Sequence, residues 1–294
     1  MNDVHFERLS VQIEDRLVAL NPRGMGTLRP HLRPGYCLRS AQILLRADSV
    51  LIGTGFPVAG TFETDGPVGA LALLTSLEAL GKTVTLACAD PLATALEADF
   101  PVLRLEAFNV AAGRQEATTN LSALKPEVVV SIERPGLCAD DRYYNMRGED
   151  ISAHCAVFDY YLSQANCPTL AIGDGGNEIG MGKVSAAVEQ LAVKPVQTSC
   201  EELVVADISN WGAYGVIALM QALSATTLLD SIDHRGLLEY LSARGSVDGI
   251  TREKTLTEDG MDCEVGERLL ADLAAMIKHE SWLGDYSQAN GVTL

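Results

Sequence analysis

SVLIGTGFPVAGTFETDGPVGALALLTSLEALGKTVTLACAD, residues 49–90, decides the fold. It opens on a β-branched run at 49–52 and leaves it through Gly53-Thr54-Gly55. It then passes into PVGALALLTSLEAL at 67–80, apolar at helical spacing, with Pro67 in the first turn and Gly81 as the stop. A second β-branched run follows at 83–87. Strand, helix and strand in that order form the unit from which parallel sheets are built.

Outward from this unit the pattern repeats. Further strand-like runs occupy 127–132, 168–172 and 203–206, and helical stretches are read at 151–165 (ISAHCAVFDYYLSQA) and 211–223 (WGAYGVIALMQAL). Such alternation predicts an α/β fold whose mostly parallel sheet is covered on both faces. Residues 1–46 read as an N-terminal helical extension joined by the turn-rich segment 21–34. At the other end, 248–263 reads as an acidic, Gly-containing loop and 265–279 as a C-terminal helix. With no internal repeat or linker, 1–294 reads as a single domain.

Composition narrows the function classes. The chain has 39 acidic and 22 basic side chains, a net charge of −17, and 47% hydrophobic residues. A polyanion is repelled by that balance and no Lys/Arg stripe reverses it, so neither nucleic acid nor an anionic membrane is an expected partner. No apolar run is long enough to span a bilayer, and MNDVHFE at the N-terminus lacks the features of a signal peptide. Seven cysteines, odd in number and without a C-x-x-C pair, read as reduced thiols of a cytoplasmic protein. The five histidines lack zinc spacing, and no G-x-S-x-G elbow appears. Homo-oligomerisation is left open.

The polar residues collect at the strand exits. These are Gly53-Thr54-Gly55, Ala89-Asp90, Glu133-Arg134, Gly173-Asp174 and Asp207-Ile208-Ser209-Asn210. Ligands of open parallel sheets bind beyond the carboxyl ends of the strands. The densest stretch, IGDGGNEIGMGK at 172–183, holds five glycines around Asp174, Asn177 and Glu178. Its Gly175-Gly176 backbone is read as an anion nest, and its oxygens suit Mg²⁺, Mn²⁺ or Ca²⁺. It is no Walker loop, because Val184 follows Lys183. Position 58 is Val where a dinucleotide fingerprint needs Gly, so no nucleotide cofactor is expected. Glu63 and Asp65 precede a helix whose first N–H groups, at about residues 68–70, are expected to face the crevice. Asp65 serves equally well as a helix cap. Arg134 is expected to hold a substrate carboxylate in bidentate geometry, and Glu133 to bind metal or carry a proton. A local ion pair between the two is the plainer alternative. Arg142, Arg147 and two tyrosines in the loop at 142–148 are candidates for a lid.

At these residues the sequence resembles a known family. VLIGTGFP (50–57), ETDGPVGAL (63–71), SIERPG (131–136), YYNMRGEDIS (143–152), IGDGGNEIGMGK (172–183) and ADISNWG (206–212) are similar to the C-terminal domain of D-glutamate cyclases. The resemblance implies a three-layer α/β/α sandwich and closure of D-glutamate to 5-oxo-D-proline. It also implies that the animal enzymes carry a large N-terminal domain for which this chain is too short. Lactam closure calls for charge neutralisation at a carboxylate, which a hard divalent cation supplies, and for a base. Asp174, Glu133 and Asp207 are the expected catalytic residues, and Glu63, Asp65, Asp174 and Glu178 the expected metal ligands. Gly53, Thr54, Gly55, Arg134, Gly175, Gly176, Asn177 and Asn210 are expected to hold the substrate, a small anionic metabolite. The same groups would serve a metal-dependent phosphatase, or a non-catalytic binder of such a metabolite.

Overall fold

The computed structural model describes residues 3–290, with side chains over 4–278. Residues 1–2 and 291–294 of the span read as one domain, and the side chain of His279 at the end of the expected C-terminal helix, lie outside the described residues.

Six parallel strands form the central sheet: β1 (Ser49–Thr54), β2 (Thr83–Cys88), β3 (Val102–Arg104), β4 (Val128–Ile132), β5 (Thr169–Gly173) and β6 (Glu202–Val205). Their spatial order is β3-β2-β1-β4-β5-β6. The chain winds outward from β1 to β3, then returns to pair β4 against the free edge of β1. The direction of winding therefore reverses between β1 and β4, where a doubly wound sheet opens its crevice. All five residues of β4 are buried, as continuous apolar runs require when both faces are covered.

Helices cover the two faces. On one lie α1 (Asp3–Leu17), α2 (Tyr36–Arg46), α3 (Pro67–Ala79) and α5 (Ser209–Ser224), with α6 (His234–Ala243) and α7 (Cys263–Asn290) packed outside them. On the other lie α4 (Val110–Leu124) and a one-turn helix, Asp159–Ser163. The result is the three-layer α/β/α sandwich. Helix α3 is buried along almost its whole length between the sheet and α5, which explains why PVGALALL carries no polar stripe. The segment 1–46 shares one hydrophobic core with the sheet: Leu9, Ile13 and Leu17 belong to the same cluster as Val129 and Leu219. No helix of the described residues is long and apolar enough to cross a membrane.

Two elements depart from the sequence reading. The stretch 151–165 is a helix only at Asp159–Ser163, with a single 3₁₀ turn at Ser152–His154. Between them Cys155, Ala156, Val157 and Phe158 run buried, held by the Val157 amide donating to the Ala107 carbonyl at 2.8 Å. The acidic loop also contains a two-stranded hairpin, Thr257–Glu258 against Met261–Asp262. Its turn residues Asp259 and Gly260 have φ of 49° and 77°. Asp-Gly favours this left-handed pair of conformations. A second small hairpin, Pro57–Val58 against Thr61–Phe62, follows β1 and turns through Ala59 and Gly60, at φ 51° and 80°.

Candidate active site

Register sets the site. Thr54 of β1 pairs with Ile132 of β4, and Ile132 with Ile172 of β5, so the three central strands end at one level. Glu133 and Asp174 leave adjacent strands side by side. Antiparallel pairing of Pro135 with Glu178 then folds the glycine-rich loop back over the exit of β4. Glu133 itself sits at φ 46°, a left-handed conformation that a non-glycine residue adopts only at a cost in strain.

Two carboxylate triads share Asp174. Ligand oxygens of Glu133, Asp174 and Glu178 lie within 4.8 Å of one another, and so do those of Asp65, Asp174 and Asp259. Glu133, Asp174, Glu178 and Asp259 form the floor of a cleft of about 500 Å³, also lined by Arg23, Glu63, His154 and Asn177, whereas Asp65 is fully buried and does not line it. The hairpin residues 57–60 and the loops 145–149 and 249–252 make its walls. Burial raises the Glu63, Glu133 and Asp174 carboxyls well above the ordinary carboxylate range, and neighbouring carboxylates push each further. Burial also raises Asp65 and Glu178, and lifts Asp259 to about 6.

One cation stands in this floor. Arg23 forms ion pairs with both Asp174 and Asp259. Its guanidinium also donates to the Asp174 and Asp207 carbonyls, at 3.3 and 2.7 Å. Burial alone would make Arg23 easier to deprotonate, but the surrounding carboxylates outweigh it and raise its pKa. Asp207 acts through this arginine. Its carboxylate accepts from the Leu20 and Asn21 amides at 2.7 and 2.8 Å and so holds the turn that delivers Arg23. Asp207 is not among the cleft-lining residues.

Several expected ligand groups are occupied by the protein itself. Arg134 donates to the Thr54 and Ala156 carbonyls at 2.9 and 2.5 Å and lies over the Phe158 ring. With Thr54 and Gly55 it borders a smaller cavity beside the cleft. A Cβ on Gly53 would meet the Phe158 ring at 2.2 Å, so that glycine serves packing. The amides of Gly175 and Gly176 donate to the Glu178 carboxylate at 2.7 and 2.8 Å, which fills the nest read as an anion site. Asn210 Oδ1 accepts from the Gly66 and Gly69 amides at 2.8 and 2.6 Å, while its Nδ2 donates to Glu258 at 2.7 Å. Asp65 in turn accepts from the Ser209 and Asn210 amides at 2.9 and 2.7 Å. Helices α3 and α5 therefore cap each other, and the α3 N-terminus offers no free pole to a ligand at these amides.

Glu63, Glu133, Asp174, Asn177 and Glu178 do line the cleft. Glu63 belongs to neither triad. The donor set fits a hard divalent cation: every member is a carboxylate, and Asn177 adds a buried Oδ1 with no hydrogen-bond partner. Arg23 and Asp259 escaped the sequence reading. Nothing local marks Arg23, but Asp259 lies in an Asp-Gly pair, a hairpin signal that would have turned its loop back on the sheet.

The parallel sheet reverses its winding where the carboxylate-floored cleft opens, which defines a doubly wound α/β protein. Residues 15–274 match the family described as D-glutamate cyclase-like, C-terminal. The chain belongs to that family. It is 32% identical over 257 residues to the human mitochondrial D-glutamate cyclase, covering 75% of this chain and 41% of that one. It thus spans about two fifths of the length of this curated relative. Among solved structures, an exopolyphosphatase-related protein from Bacteroides fragilis aligns at TM-score 0.42 and 10% identity, over 89% of this chain and 62% of the other. The exonuclease RecJ bound to manganese aligns at 0.40 and 12%, over 87% and 66%. Likenesses this slight carry no argument about function.

Proposed function

We propose that the chain closes D-glutamate to 5-oxo-D-proline and water at the carboxylate floor. The observation that carries this reading is the pair of triads sharing Asp174 beneath a cleft of about 500 Å³; membership of the D-glutamate cyclase-like family supports it. In the reaction the amine nitrogen bonds to the γ-carboxyl carbon, a C–O bond breaks, and two protons of the ammonium leave with that oxygen as water. An ammonium entering an acidic floor is attracted to it, and a carboxyl held above its ordinary range is a stronger base than a free one once ionised. Glu63 suits the base, since its carboxyl is raised and accepts no hydrogen bond among the described residues. Glu133 Oε2 is held by the Ser209 hydroxyl at 2.5 Å, which fixes its orientation.

A divalent cation, Mg²⁺ or Mn²⁺, would be held by Glu133, Asp174 and Glu178 and would neutralise the γ-carboxylate as a Lewis acid. The other triad is less open to one, because Arg23 pairs with two of its three members.

Purified protein incubated with D-glutamate and either ion is expected to yield 5-oxo-D-proline by chiral chromatography. Asp174→Asn is expected to lower the rate by about 10²-fold or more. No lactam with either ion, together with EDTA-sensitive phosphate release from small phosphoesters, would replace this reading with a phosphatase.

A further inference from the structure

The cleft is polarised from floor to mouth. Its floor is acidic, and of the three arginines that line it two have carboxylate partners: Arg23 in Asp174 and Asp259, and Arg252 in Glu149 at 3.7 Å. The third, Arg147, lines the cleft from an exposed loop and makes no side-chain hydrogen bond or ion pair among the described residues.

That loop is built to hold Arg147 in place. A bridge between Tyr144 and Asp150 closes its base, and Gly148, at φ 74°, makes the turn. Asn145 Oδ1 accepts from the Arg147 and Glu149 amides, each at 3.0 Å, and Asn145 Nδ2 donates to Glu149 at 2.6 Å. The loop is also fastened to the segment that carries the floor. Asn177 Nδ2 donates to the Tyr144 carbonyl at 3.0 Å, and the Met146 sulfur lies where a Cβ on Gly175 would meet it at 2.9 Å. The loop that carries Arg147 is therefore tied by direct contacts to the loop that carries Asp174 and Glu178.

We infer that Arg147 binds the α-carboxylate of the amino-acid substrate and fixes which end enters first. The inference rests on the cyclase reading. An anion approaching a chain of net charge −17 and an acidic floor needs a cation at the entrance. Arg134, the arginine expected for this task, is committed to two carbonyls outside the cleft. A guanidinium at the mouth holds the α-carboxylate there in a planar fork and directs the amine and γ-carboxylate toward the floor. The cleft then selects against amines that can cyclise but lack the α-carboxylate.

The test compares D-glutamate with 4-aminobutyrate, which keeps the spacing of amine and reacting carboxylate and lacks only the α-carboxylate. Arg147→Ala is expected to raise KM for D-glutamate by about 10- to 100-fold with kcat little changed. Turnover of 4-aminobutyrate to 2-pyrrolidinone should be the same in both proteins, and Arg147→Lys should restore part of the loss. An unchanged KM for D-glutamate, or an equal loss with 4-aminobutyrate, overturns the inference. Calorimetric binding of D-glutamate separates it from the cyclase reading. Binding that is weakened in Arg147→Ala, with no lactam formed by the wild type, refutes the cyclase alone; no binding by the wild type refutes both.

Discussion

Glu63, Glu133, Asp174, Glu178 and Asp259 line one cleft, all but Asp259 buried, and Arg23 is the guanidinium that makes such a floor tolerable. Removing one partner of a buried ion pair leaves the other charge unpaired in a poor solvent. Arg23→Met is therefore expected to lower stability by about 3–5 kcal/mol at pH 8, read from urea midpoints. The deficit should shrink at pH 6, where the raised carboxyls take up protons. A change below about 1 kcal/mol would mean that the floor is already protonated or hydrated. Arg23 lies in a segment of turns whose residues announce no chemistry. Only the Asp207 carboxylate, holding the Leu20 and Asn21 amides, brings it to the strand exits.

The two central helices begin at the site and depend on each other for their first turns. Asn210 serves the α3 amides and Asp65 the α5 amides, so neither helix can be displaced without exposing the other's buried donors. Asn210→Ala leaves the Gly69 amide unpaired and takes from the Gly66 amide one of its two acceptors, the other being Asp65 Oδ1. It is expected to cost about 2–4 kcal/mol in chemical denaturation. A near-neutral result would show that water reaches those amides. Asn210 takes the Gly69 amide while the Val68 and Ala70 amides donate to the Thr64 and Gly66 carbonyls, so the expected free helix pole at 68–70 is absent. Helix periodicity shows where α3 starts, whereas the identity of its cap, an asparagine on another helix, is not encoded near it. Residues 151–165 failed in the opposite direction. Their apolar spacing looks helical, but Cys155 to Phe158 satisfy it by running buried beneath α4.

For the whole molecule the floor sets the response to pH. Glu258 is lifted to about 7 and Asp259 to about 6, both chiefly by burial, and burial also raises Glu63, Glu133 and Asp174 well above the ordinary carboxylate range. A carboxyl whose folded pKa exceeds its unfolded value destabilises the fold when ionised, and the penalty fades as pH falls through the folded pKa. Metal-free protein in EDTA is therefore expected to melt higher at pH 6 than at pH 8. Mn²⁺ should raise the melting temperature more at pH 8 than at pH 6, because protons compete for the same oxygens. A flat or reversed profile in EDTA would refute this account. Below about pH 6.5 His234 offsets part of this gain, since burial holds it neutral down to about 4 while the unfolded chain takes up its proton.

The sequence by itself determined the layers of this protein. The β-branched runs and the apolar stretches at 67–80 and 211–223 carry their structure in short-range spacing, which the pleat and the helical turn read directly. Strand β3 is the exception within the sheet, because three residues are too few to show a period. The sequence also placed Glu133 and Asp174 beside one another, since parallel strands in register must end together, while Glu178 joins them through the tertiary pairing with Pro135. Tertiary structure alone decided which polar groups stay free for a ligand. Arg134, Asn210, Asp207, Gly175 and Gly176 have the right chemistry and the right strand ends, yet parts of the chain distant in sequence or a neighbouring carboxylate take up these donors and acceptors, the buried Arg134 Nε excepted. Arg23 and Asp259 reached the floor from outside the strand exits altogether. A buried polar group must find a partner wherever the fold supplies one, and that choice depends on three-dimensional proximity, which local spacing does not record.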